Sequence, residues 1–151
     1  RQKYAKVMLL FKPVYFYNWG YLITYLIIRC RVYLGEYQRK IKEEFSITDI
    51  KGNHYVLVQG KQIIGIVRIM YENGIADLAR VTVIKEYRNQ GYGRELMKRV
   101  INEVRNSRKA EIIRLSISDK AMLDFYQQFG FKENGEVSFH NIPTISMIKI
   151  L

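Results

Sequence analysis

The sequence predicts a mixed α/β domain, and three observations predict it. Apolar runs at 54–59 and 62–71 are separated by Gln59-Gly60-Lys61, and a third run at 75–84 follows Glu72-Asn73-Gly74. Asn-Gly between apolar runs is a hairpin signal, so the three runs read as an antiparallel meander. The third run ends in the β-branched stretch Val81-Thr82-Val83-Ile84, and Arg88-Asn89-Gln90-Gly91-Tyr92-Gly93 then opens an amphipathic stretch over 91–106. That is a strand, a tight glycine turn and a helix. Finally, Ala121, Met122, Phe125, Tyr126 and Phe129 recur at helical spacing, and Phe129-Gly130-Phe131 ends that helix on a glycine and starts a new strand.

Taken in order, the pattern predicts a strand over 4–11, a helix over 19–34, a short helix over 36–46 and the three meander strands. A helix over 91–106, a strand over 111–117, a helix over 119–129 and strands over 131–139 and 144–150 follow. In the first helix, Leu22, Ile23, Leu26, Ile27 and Cys30 have the spacing of an inner face.

At 151 residues the chain is expected to be a single domain, 1–151, long enough to bury about two-thirds of the surface its unfolded form exposes. Its 48% hydrophobic and 26% charged residues are those of a globular protein. Cys30 is the one cysteine, which excludes an internal disulfide and points to a reducing cytoplasm. Its place on an apolar stripe reads as a buried thiol rather than a nucleophile. Residues 13–28 carry no formal charge, but sixteen residues fall short of the about 20 that a membrane span needs. Nothing resembles a signal peptide. The twelve tyrosines suggest that several lie on a binding surface.

Lysine and arginine number 25 against 14 acids, a net charge of +11. The basic residues are scattered from Lys3 to Lys149 with no block of five, which argues against a dedicated nucleic-acid tail. No Cys/His set has metal-ligand spacing and no Ser-His-Asp set is identifiable, so neither a metal centre nor a hydrolase is expected.

The turn at 88–93 suits an anion such as a pyrophosphate. Its successive backbone N–H groups and the amides of the first helical turn converge, and the helix dipole adds partial positive charge. Arg88 adds a full one. Glycine at 91 and 93 lets the backbone take positive φ, or lets a phosphate approach with no Cβ in the way.

The turn and the later Phe125-Tyr126-Gln127-Gln128-Phe129-Gly130-Phe131 segment together resemble the GNAT superfamily of N-acetyltransferases, over roughly residues 54–151. In that family an R/Q-x-x-G-x-G/A turn holds the coenzyme A pyrophosphate, and an F-Y-x-x-x-G-F segment presents a tyrosine to the thioester sulfur. A narrower resemblance is to the small ElaA-like branch, with its R-C-x-V-F-x-x-E-Q and I-P-H-I-x-M patterns. This chain reads Arg29-Cys30-Arg31-Val32-Tyr33-Leu34-Gly35-Glu36-Tyr37 and Ile142-Pro143-Thr144-Ile145-Ser146-Met147. Tyr37 stands where the branch has glutamine, Thr144 where it has histidine, and of the acidic loop before His54 only Asp49 is kept.

The resemblance implies a mostly antiparallel sheet whose fourth and fifth strands splay apart to admit the pantetheine arm, which would pair with the free edge at Val81 and Val83. It implies acetyl-CoA as co-substrate, held by Arg88, Asn89, Gln90, Gly91, Tyr92, Gly93 and Arg94, and a primary amine on a small molecule or a protein as acceptor. It leaves room for a homodimer. Tyr126 takes the place of the residue that hydrogen-bonds the departing thiolate; its other reading is helix packing. Glu36 matches the ElaA-like glutamate and is the candidate base or acceptor contact. Arg29, on the same helical face seven residues earlier, either holds an anionic acceptor group or pairs with Glu36. Asp119 is read first as a helix N-cap and second as a cofactor contact. His54 and His140 read as surface or capping residues rather than bases. The rival function is a GNAT-fold module without turnover that binds RNA or an acidic protein, for which the positive charge is the only support.

Overall fold

The computed structural model describes residues 8–15, 18–36, 51–139 and 142–151. Expected elements at 4–7 and 37–46, and the residues Tyr37, Asp49 and His140, lie outside them. Seven strands form one sheet: β1 (Leu9–Pro13), β2 (Asn53–Gln59), β3 (Gln62–Glu72), β4 (Ile75–Val83), β5 (Ile112–Ile117), β6 (Lys132–Phe139) and β7 (Ile142–Ile150). Their order across the sheet is β1-β2-β3-β4-β5-β7-β6. Among the described residues the helices are α1 (Trp19–Arg29), continued by a π-helical segment (Cys30–Glu36), α2 (Tyr92–Ser107) and α3 (Leu123–Gln127), with 3₁₀ turns at Lys85–Tyr87 and Lys120–Met122. Among the described residues no helix is long and apolar enough to cross a membrane.

By compactness the chain divides into two units, Arg1–Arg68 with Val81–Leu96, and Ile69–Arg80 with Met97–Leu151. In the first, β1 pairs antiparallel with β2, Leu9 opposite Gln59 and Pro13 opposite Tyr55. Its core joins Tyr25, Ile28, Val32 and Tyr33 to Val56, Val58, Ile63 and Ile66. The expected meander is present, and the Asn-Gly turn takes φ 49° at Asn73 and 74° at Gly74, both left-handed as a two-residue hairpin turn requires.

The expected inner face of α1 is not the one the protein buries. Ile23 and Ile27 are 52% and 60% exposed, whereas Tyr25, Ile28 and Arg29 are buried. The helix is apolar nearly all round, so spacing alone does not choose a face. Hydrogen bonds choose it: the Tyr25 hydroxyl lies 2.5 Å from His54 Nδ1, and the Tyr33 hydroxyl lies 2.5 Å from Thr82 Oγ1. His54 is half-buried and partners a buried tyrosine. Cys30 is half-buried rather than buried.

Gly65 marks the tightest approach in this unit. A Cβ there would meet the Thr82 carbonyl oxygen at 3.2 Å and a Leu96 methyl at 3.4 Å. Because the nearer neighbour is backbone and cannot rotate away, Gly65→Ala is expected to destabilise the chain by about 1–3 kcal/mol, read in a urea titration.

The second unit holds β5, β6, β7 and α3 with the end of β3, the first part of β4 and most of α2. Antiparallel β5–β7 and β6–β7 ladders surround Ile113, Leu115, Phe131 and Met147, all at most 4% exposed. β4 pairs with β5 in parallel, as a strand–helix–strand crossover dictates. That pairing covers Ile75↔Ile112, Ala76↔Ile113 and Asp77↔Arg114, although β4 runs on to Val83 and β5 to Ile117. The mostly antiparallel mixed sheet, with its fourth and fifth strands parting, is the expected fold class. On the last paired rung Arg114 clasps Asp77 with two hydrogen bonds, Nε to Oδ1 at 2.6 Å and Nη2 to Oδ2 at 2.7 Å. That bidentate contact raises the Arg114 guanidinium above its ordinary range. Three residues further, Arg80 takes φ 58°, a left-handed kink in β4.

Candidate functional site

The glycine turn stands between the 3₁₀ turn after β4 and the start of α2. Asn89 takes φ 60° and Gly91 φ 84°. Asparagine is among the few side chains that tolerate the left-handed region, so the turn was built for two such residues and not only for its glycines. Alternating handedness turns successive N–H groups to one side and forms an anion-binding concavity. A Cβ placed on Gly91 would find nothing within 4 Å, so the space above it is open. Gly93 lies in the first turn of α2. The Glu95 amide closes the first helical bond, on the Gly91 carbonyl at 3.2 Å, which leaves the amides before it at the exposed end of the helix. These features fit a pyrophosphate: a concave row of amides, a helix N-terminus and unobstructed approach.

Side chains brace this turn from several directions. Arg88 is half-buried; its Nε donates to the Val83 carbonyl at 2.8 Å and its Nη1 to Glu36 Oε2 at 2.9 Å. Gln90 Nε2 donates to the Glu86 carbonyl at 3.1 Å. The Tyr92 hydroxyl and the Gln59 amide hydrogen-bond at 3.0 Å, and Tyr87 bonds Gln62 while lying edge-on to Tyr92 with centroids 6.0 Å apart. Arg94 is exposed. Glu86 is paired with Arg31, and its own backbone amide, followed by that guanidinium, holds its carboxyl below the usual range. Val81 and Val83 are half-buried and the intervening Thr82 is buried at 8% exposure.

Glu36 is thereby brought against Arg88, at the end of the π-helical segment. Arg29 is only 1% exposed and stacks 5.7 Å from the centre of the Tyr25 ring. At a spacing of seven residues Arg29 and Glu36 would share one helical face; the widened π turns break that phase. The Glu36–Arg88 pair spans 52 positions, and no local pattern announces it.

In the other unit, Tyr126 is 6% exposed, its ring packed at 5.1 Å from Phe125 and 5.9 Å from Phe131. The expected helix over 119–129 is a 3₁₀ turn followed by the five residues of α3. Asp119 caps the 3₁₀ turn, its Oδ1 accepting from the Ala121 amide at 2.9 Å. The far end closes as a Schellman motif: the Phe131 amide bonds the Tyr126 carbonyl at 3.4 Å, the Gly130 amide bonds Gln127 at 2.9 Å, and Gly130 takes φ 84°. Gly130 thus fixes the turn that carries Tyr126. Among the described residues no group of three or more His, Cys, Asp or Glu could hold a metal ion.

The sequence matches a family of acyl-CoA-dependent N-acyltransferases. The model of the acetyltransferase (GNAT) domain matches residues 34–151, so the chain belongs to the GNAT family. It is 26% identical over 124 residues, 81% of this chain and 87% of the other, to the uncharacterized N-acetyltransferase YjcF of Bacillus subtilis. It is 34% identical over 71 residues, 46% of this chain and 47% of the other, to a probable spermine N(1)-acetyltransferase of Bacillus subtilis subsp. natto. Among solved structures it shares the fold of Escherichia coli ElaA, with a TM-score of 0.80 at 21% identity over 94% of this chain and 99% of that one.

Proposed function

We propose that residues 1–151 work as one acyl-transfer domain that moves an acetyl group from acetyl-CoA to a primary amine, of a small molecule or of a protein, in the cytoplasm. The observation that carries this reading is the turn itself, with left-handed Asn89 and Gly91 opening free space at a helix N-terminus. The thioester supplies an activated acyl group and a thiolate leaving group. The residues proposed to hold the donor are Arg88, Asn89, Gln90, Gly91, Tyr92, Gly93 and Arg94, through turn amides and guanidinium charge, with Val81 and Val83 offering a strand edge. Asp119 is proposed as a secondary donor contact.

Tyr126 is assigned the hydrogen bond to the departing sulfur. A phenol of pKa about 10 is a weak acid toward a thiolate of about 8.5, so the hydroxyl stabilises developing charge more than it delivers a proton. Glu36 is assigned the amine side, where a carboxylate attracts an ammonium group and accepts its proton. Arg29, at 1% exposure, suits a charged brace beneath that side better than a direct contact with the acceptor.

Polyamines lead the acceptors to be tried, because the relative aligned over 46% of the chain bears the name of a spermine acetyltransferase. The test is a panel of amines, polyamines and peptide amines incubated with acetyl-CoA and followed by thiol release. Amine-dependent release supports the reading; release with no amine on the panel, together with no binding of coenzyme A, contradicts it.

The net charge of +11 favours a second reading, a module that binds RNA. If the surplus charge serves only solubility and donor capture, binding of generic RNA should be weak and fall steeply with rising salt, since counterion release is then its whole source. Filter binding of several RNAs from low to physiological salt reads this. Tight, sequence-dependent binding at physiological salt favours the RNA module.

A further inference from the structure

The π-helical segment Cys30–Glu36 is stapled to the end of β4, to the 3₁₀ turn after it and to the glycine turn by three side-chain contacts: Tyr33 to Thr82, Arg31 to Glu86, and Glu36 to Arg88. The first is buried and neutral; the other two are ion pairs of opposite polarity. Arg88 is the only one of these residues that also belongs to the anion-binding turn. Its guanidinium is divided, Nε spent on the Val83 carbonyl and Nη1 on Glu36 Oε2. Each two-donor edge of the guanidinium thus has one donor taken, so a phosphate gains a bidentate grip only by displacing the Glu36 carboxylate or the Val83 carbonyl.

We infer that Glu36 and the pyrophosphate of the acyl donor compete for Arg88, so that donor binding releases the Glu36 carboxylate. This rests on the proposed reading of the turn. The competition is uneven by design of charge: a pyrophosphate brings more negative charge than one carboxylate and gains the turn amides besides. Glu36 therefore yields, at a cost in donor affinity equal to the ion pair it gives up. Released, it becomes the one carboxylate of this staple without a cation, while Glu86 keeps Arg31.

The competition has a readout that a structural role for Glu36 does not share, since removing its charge should strengthen donor binding. Titrating coenzyme A into the full chain by calorimetry, Glu36→Gln is expected to bind about two- to fivefold tighter than the parent, the range a partly exposed ion pair supplies. Glu86→Gln, which removes an equal charge from the same staple without touching Arg88, should change affinity by less than about 1.5-fold. With Arg88→Gln already present, adding Glu36→Gln should change nothing further. Equal or weaker binding by Glu36→Gln, or the same gain from Glu86→Gln, overturns the competition while leaving coenzyme A binding in place. Failure of the parent chain to bind coenzyme A at all overturns the reading of the turn, and the competition with it.

Discussion

Gly91→Val is expected to weaken coenzyme A binding by at least about a hundredfold, about 2.8 kcal/mol, while the chain still folds. The two effects separate because of what surrounds the position. A Cβ at Gly91 meets no protein atom within 4 Å, so the folded state suffers no clash. Its cost is conformational: a β-branched residue at φ 84° loses about 1–2 kcal/mol or somewhat more relative to glycine. The melting temperature should fall by a few degrees. The side chain meanwhile fills the open space that a phosphate would use, and relief of the strained φ turns the Gln90 and Tyr92 amides away from a common point. Calorimetry for affinity, with circular dichroism for the fold, reads both. Binding as tight as that of the parent would place the phosphate elsewhere.

Tyr126→Phe is expected to lower turnover at least tenfold with coenzyme A affinity within about twofold of the parent, since one positioned hydrogen bond to developing charge is typically worth about 10² to 10³ in rate. The substitution is clean in packing terms. The ring lies between Phe125 and Phe131 in edge-to-face contact, and phenylalanine keeps both. A chain that turns over normally but melts earlier would make the hydroxyl a structural one and leave sulfur protonation to water or another side chain.

The turn was legible because its signal is local. A strand of Val81, Thr82 and Val83, two glycines and an amphipathic helix lie within a few residues of each other, and each dictates its own backbone. The hairpin at Asn73-Gly74 and the glycine stop at Gly130 were readable for the same reason. The face of α1 was not. Where Leu22, Ile23, Leu26, Ile27 and Ile28 are all apolar, periodicity offers several equivalent faces, and partners far along the chain decide: His54 for Tyr25 and Thr82 for Tyr33. These two tyrosines fasten the core. The π-helical turns at 30–36 leave no compositional mark, yet they take Glu36 out of phase with Arg29 and set it on Arg88. Asn89 carried a signal that glycine-centred reading passes over, since asparagine in a glycine turn is itself a hint of left-handed φ.

The proposed seat of the acyl donor's pyrophosphate is the 88–94 turn. Titration of ¹⁵N-labelled protein with coenzyme A, following backbone amides by heteronuclear NMR, tests it most directly. Saturable, one-to-one shifts are expected, largest at the amides of Asn89, Gln90, Gly91, Tyr92, Gly93 and Arg94. Saturable shifts centred elsewhere, with these six amides unmoved, would contradict it.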